Sequence, residues 1–142
     1  MRRKVALITC LACLVALLAA PAGAAAFSVG LKAPTHHPKA GKKWPITVSA
    51  HRNGGKPVHA SAFYQFVVGG NVVQSCTPLP GHPHATKCNV GSKAKTHRFF
   101  GQYRDVIIWP KRAISYHITF RVVVHMRHGG TKHVDYPVTV HG

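Results

Sequence analysis

From Tyr116 to Val140 the chain alternates apolar and polar side chains with a period of two, and no other feature restricts its fold as tightly. Tyr116, Ile118, Phe120, Val122, Val124 and Met126 interleave with His117, Thr119, Arg121, Val123, His125 and Arg127, the signature of a strand with one buried face. After Gly129 and Gly130 the pattern resumes in Val134, Tyr136, Val138 and Val140, so the two runs form an antiparallel hairpin. A lone hairpin cannot bury its own apolar face. The rest of the chain must supply a second layer.

The hairpin also carries an expectation about register. Both apolar sets face one core only if paired positions match in parity. A three-residue loop of His128, Gly129 and Gly130, with Gly130 at positive φ, meets that condition. It sets Val124 opposite Val134, Val122 opposite Tyr136 and Phe120 opposite Val138. On the outer face it sets His125 opposite His133 and His117 opposite His141. A slide of two positions would keep the core and lose both histidine pairs.

At the start of the chain Arg2, Arg3 and Lys4 precede an uncharged run from Val5 to Ala20, then Pro21 and the small residues Ala22 to Ala26. A basic head, an apolar middle and a small-residue exit are expected of a secretory signal peptide over residues 1–26, cleaved after Ala24 or Ala26. The run is short for a retained membrane span. Cys13 hints at a lipoprotein signal, but Cys10 stands where such signals use an aliphatic residue. Taking 26 residues from 142 leaves 116 (27–142), enough for one domain with a core of its own. Three of the nineteen Lys and Arg residues precede Ala26, so sixteen basic residues face two acids, a formal charge of +14.

Two cysteines follow the leader, Cys76 and Cys88, and in an exported chain they read as one disulfide closing a Pro-rich loop, worth ~3 kcal/mol by loop entropy. A zinc site of both thiolates with His82 and His84 would need a reducing setting. Phe27 to Leu31, Trp44 to Ala50, Val58 to Val68 and Val72 to Ser75 each alternate as strands, with Pro45 suited to an edge or a strand start. The linker with His36 and His37 reads as solvated, and Thr77 to Gly91 as a loop without periodicity. Phe99 to Tyr103 and Asp105 to Trp109 give one or two strands broken by a bulge at Gly101. Seven to eight short strands without a helix imply an all-β, two-sheet antiparallel sandwich, with a small barrel as runner-up.

The stretches Pro38-Lys39-Ala40-Gly41-Lys42-Lys43-Trp44-Pro45-Ile46-Thr47-Val48, Gly54-Gly55-Lys56-Pro57-Val58 and Tyr64-Gln65-Phe66 resemble the opening strands of bacterial immunoglobulin-like domains. The Tyr116 to Val140 hairpin is similar to their last two strands. The resemblance implies a secreted or surface-attached spacer, adhesin module or binding scaffold without catalysis. The cysteines depart from the antibody pattern, since both flank one local loop instead of joining the sheets.

Chemistry at carboxylates has only Asp105 and Asp135 to draw on. A hydrolase of the glycosidase type would need those two as its pair, whereas an acid beside Arg104 or Arg121 forms an ordinary ion pair. No Gly-x-Ser-x-Gly element occurs, and no cofactor or catalysis is expected. Twelve histidines raise a second prospect: divalent metal held by His125 with His133, His117 with His141, or His82 with His84. The simpler account is solvent-facing strand positions opposite an apolar face.

Charge points furthest. A small domain near +14 attracts anionic wall or surface polymers at contact range and in a salt-dependent way. The candidate contacts are Lys42, Lys43, Lys93, Lys95, Arg98, Lys111, Arg112, Arg121, Arg127 and Lys132, dispersed along the chain instead of forming one basic tract. Tyr103 and Trp109 could stack on bases, but core packing suits them better and export disfavours nucleic acid. The leading expectation is thus a secreted, basic, non-catalytic module at the cell envelope. A histidine-based metal binder and a small secreted hydrolase are the alternatives.

Overall fold

The computed structural model describes residues 26–82, 87–91 and 94–142. All of the expected signal peptide except Ala26 lies outside these, as do His84 and Lys93. The described residues form nine strands: β1 (Phe27–Lys32), β2 (Lys43–Arg52), β3 (His59–Val68), β4 (Asn71–Thr77), β5 (Lys87–Val90), β6 (His97–Phe100), β7 (Gln102–Ile108), β8 (His117–Met126) and β9 (Gly130–Thr139). A single 3-10 turn, Lys111–Ala113, links β7 to β8. Among the described residues no helix is long and apolar enough to cross a membrane.

The strands make two antiparallel sheets. One has the order β1-β2-β7; the other runs β5-β4-β3-β8-β9, with β6 also pairing β3. The sandwich expected from the strand pattern is therefore present. Val48, Ala62, Tyr64, Phe120, Val122 and Val124 between the sheets are wholly buried. Trp44, Tyr64, Phe66, Trp109 and Phe120 meet there with ring centroids 5.0–6.2 Å apart, in the tilted and edge-on geometries that aromatic quadrupoles favour. Pro45 sits at the start of the central strand β2, opposite Val106 of β7 and beyond the reach of β1, which pairs β2 only from Thr47 onward. Its missing N–H costs no ladder bond there.

Three expectations need correction. The hairpin register is the slid one: Val122 pairs Val134, Phe120 pairs Tyr136 and Ile118 pairs Val138. The turn is Arg127 to Gly129, with His128 at φ 64° and Gly130, the first residue of β9, at φ 81°. Met126 packs over Gly129 so closely that a Cβ there would lie 1.8 Å from its Cε. His125 accordingly faces Thr131, and His117 faces Thr139, so neither expected histidine pair forms.

Second, Lys87–Val90 is a strand and not part of a structureless loop. It pairs β4 with Cys88 directly opposite Cys76, and the two are disulfide-bonded. Third, Gly101 marks more than a bulge. The chain leaves the six-stranded sheet as β6 and enters the other as β7, with Gly101 at φ 69° bonded to Val58 and Ala50. A Cβ on Gly101 would stand 2.8 Å from Pro57 Cβ, so only glycine fits.

The segment around His36 and His37 is exposed, as expected, and its backbone is tied to β9. Thr139 N–H donates to the His36 carbonyl and His141 N–H to that of Pro38, while the His36 ring stacks on Tyr136 at 4.0 Å. This segment covers the outer edge of β9, as exposed sheet edges require.

Candidate anion-binding face

The outer face of the six-stranded sheet is built by the polar half of each alternation. On β3, His59 and Ser61 point away from the core, because Ala60 and Ala62 point into it. The register then sets Arg98 of β6 beside Ser61 on one side and His125 of β8 beside it on the other. Arg98, Ser61 and His125 thus stand in a row across three strands, at the ~5 Å spacing of neighbouring strands. Arg127 continues from β8, and all of these line a concavity of about 620 Å³ with His59.

Local contacts organise this face. His125 Nδ1 lies 3.0 Å from Thr131 Oγ1, which fixes the ring and leaves Nε2 for a ligand. His59 packs on the exposed Phe100 at 4.6 Å. None of the residues lining the concavity is acidic. Both acids of the chain are engaged elsewhere: Asp135 binds Arg121 through two hydrogen bonds of 2.6 and 2.8 Å, and those bonds hold its carboxyl below the ordinary carboxylate value.

Asp105 faces the core of the sandwich at 3 % exposure, with Arg104 turned outward on the other side of the strand. Tyr64 donates to Asp105 Oδ2 and the Val106 N–H to Oδ1, each at 2.8 Å. The Tyr103 hydroxyl is buried beside the Tyr64 hydroxyl and within electrostatic reach of Asp105. Burial is the largest cause raising the Tyr64 and Tyr103 hydroxyls above the ordinary tyrosine value. Asp105, on β7 between the sheets, and Asp135, on the outer face of β9, are separated by the six-stranded sheet and do not approach as a catalytic pair would. The ion pair expected for Asp135 is present, and that expected for Asp105 is replaced by Tyr64.

Of the basic residues singled out in the sequence, Arg98 and Arg127 come together here, joined by His125. Lys42, Lys43 and Lys95 are exposed and do not line it, and Lys111 and Arg112 occupy the 3-10 turn. Arg121 is taken by Asp135, and Lys132 Nζ is held by the Phe27 carbonyl. The candidate metal ligands scatter: His117 bonds Thr139, His133 faces Val123, and His82 is exposed in the loop. His141 instead meets His37, with Nε2 and Nδ1 3.3 Å apart. Among the described residues no three His, Cys, Asp or Glu side chains cluster as a metal set. His59, Ser61 and His37 were not singled out in the sequence, since only strand neighbours distant along the chain give them partners.

No protein-family model matches the chain, and no curated protein matches it. Among solved structures, a DUF4466 family protein from Parabacteroides merdae is similar at 12% identity and TM-score 0.47, covering 80% of this chain and 45% of that one. Spo0M, a sporulation control protein from Bacillus subtilis, is similar at 10% identity and TM-score 0.46, covering 82% and 50%. This chain thus spans about half the length of each.

Proposed function

We propose that the chain is an exported, non-catalytic module of immunoglobulin-like type that holds anionic polymers at the cell envelope on the outer face of its six-stranded sheet. The observation that carries this reading is the row of Arg98, Ser61 and His125, flanked by His59 and Arg127, in a concavity without an acid. Arginine forks match sulfate and phosphate oxygens in pairs, and the Ser61 hydroxyl between the Arg98 and His125 positions supplies a further donor. The Cys76–Cys88 disulfide suits an oxidising compartment. Binding of dextran sulfate, with neutral dextran as control, tests it. Affinity should fall steeply between 50 and 300 mM salt, because attraction at a surface is screened beyond ~8 Å at physiological ionic strength. The double variant Arg98→Glu/Arg127→Glu should lose about tenfold or more, and Lys42→Glu/Lys43→Glu little. Equal losses in both variants would leave only diffuse charge and sink the site.

A second reading rests on His37 and His141. Two nitrogens bound to a tetrahedral zinc at 2.0–2.1 Å stand about 3.3–3.4 Å apart, and these two are 3.3 Å apart. Zinc binding by equilibrium dialysis at neutral pH, lost in His37→Ala, would support a two-histidine site completed by water. No stoichiometric zinc would end it.

A further inference from the structure

The two sides of the sandwich differ. On one, β1 lies against β9, with Lys132 reaching across to the Phe27 carbonyl and ring. On the other, β7 is the edge strand of its sheet among the described residues, and it lines one cavity with residues of β4 and β5. There the layers part into a cleft of about 770 Å³, walled by Phe66, Ile107, Trp109, Tyr116 and Ile118 with Arg112 at its rim. Its volume is that of a small-molecule site.

Several observations at this cleft converge. Val73 and Tyr116 border it at 46% and 57% exposure, an apolar surface that a folded chain ordinarily covers. The cleft wall is made of rings and branched aliphatic chains, Phe66, Val68, Ile107, Trp109 and Ile118, a lining suited to a hydrocarbon ligand. The charge at the mouth has one sign: Arg112 borders the cleft, Lys111 precedes it in the same exposed turn, and no lining residue is acidic.

We propose that this cleft binds a single-chain anionic amphiphile, a long-chain carboxylic acid, with its tail between the sheets and its carboxylate at Arg112. The aromatic and aliphatic walls gain by removing a hydrocarbon chain from water. A carboxylate at the mouth meets the guanidinium in a charge-assisted hydrogen bond. The Lys111-Arg112 pair, one of the sequence candidates for polymer contact, here serves a different ligand from the one held by Arg98 and Arg127.

Isothermal titration with dodecanoate below its micelle concentration, on the full folded chain, tests the proposal. One dodecanoate per chain should bind, with a change in tryptophan fluorescence, and dodecyltrimethylammonium should bind at least tenfold more weakly. Arg112→Ala should weaken dodecanoate about tenfold. Tyr116→Asp, at a 57% exposed position and with folding checked by circular dichroism, should abolish saturable binding. Arg98→Glu/Arg127→Glu should leave it unchanged. Absence of saturable binding, equal binding of the cationic amphiphile, or indifference to both Arg112→Ala and Tyr116→Asp would overturn it. Tighter binding of an uncharged extended peptide than of dodecanoate would reassign the cleft to strand addition along β7 and overturn it equally.

Discussion

Asp105 and Asp135 are the only acids in the chain, and the fold treats them in opposite ways. Asp135 sits on the outer face of β9 at 39% side-chain exposure and meets Arg121, itself 27% exposed, in a two-point ion pair. Asp105 is enclosed between the sheets and is met by a tyrosine hydroxyl and a backbone N–H. The difference teaches where charge and polarity are worth most. A pair open to water has most of its attraction cancelled by solvent and salt. A buried polar group holds its partners in a low-dielectric interior, where losing one leaves the other unsatisfied. The Tyr64–Asp105 bond also spans the two sheets, joining β3 to β7, whereas Arg121–Asp135 joins neighbours already paired in one ladder.

Mutation at the buried acid should have the largest effect. Asp105→Ala strands the Tyr64 hydroxyl and the Val106 N–H and leaves a void, an expected loss of about 3–4 kcal/mol by denaturant unfolding. A loss under about 1 kcal/mol would erase the contrast. Alkaline pH acts on the same region. The Tyr64 and Tyr103 hydroxyls are raised above their ordinary value of 10.0 by burial, so the stability they contribute is whole below pH 10 and is lost as pH climbs beyond it. The expected slope is about 1.4 kcal/mol per pH unit for each tyrosine. Melts from pH 8 to 11.5, with absorbance at 295 nm, should show both phenolates appearing only with unfolding.

Tyr64→Phe removes the donor but keeps the ring, and should cost about 2 kcal/mol while relieving about half of that alkaline slope. The smallest effect belongs to Asp135→Asn, about 0.5 kcal/mol at pH 7 and low salt. Arg121 lowers the folded-state value of Asp135 below 3.8, so this contribution is present above that pH and fades as pH falls through the folded value. Urea unfolding of wild type and variant should therefore differ at pH 7 and converge near pH 2. A gap that persists in acid would assign Asp135 a role other than its ion pair.

How far the chain can be read without coordinates depends on the range of the interaction. The alternation in β8 was legible because it is local: Ile118, Phe120, Val122, Val124 and Met126 are buried, as the period requires. The register was not, since two registers a pair apart bury the same faces, and the choice fell to the turn, where Met126 closes over Gly129. The irregularity between Phe66 and Val67 was not legible either: it lies in β4, where the pairing steps from Gln74 to Val72 and passes over Val73, while β3 keeps Phe66 and Val68 against the core. Lys87–Val90 carries almost no strand pattern and is a strand because Cys88 is bonded to Cys76 of β4. Arg98 and Arg127 could be named as basic residues, but nothing in their spacing said that Ser61 and His125 would stand with Arg98 in one row.

By itself the sequence determined the all-β class, the sandwich, the pairing of Cys76 with Cys88 and a surface of overwhelmingly positive sign, because side-chain period and charge are properties of neighbours along the chain. Tertiary structure decided which strand lies beside which. It placed β6 and β8 on either side of β3 and so gathered Arg98, Ser61 and His125, turned Asp105 inward to Tyr64, and joined His141 to His37 instead of His117. Those contacts depend on how two sheets twist and close over a shared core, and packing of that kind exists only once distant segments have met.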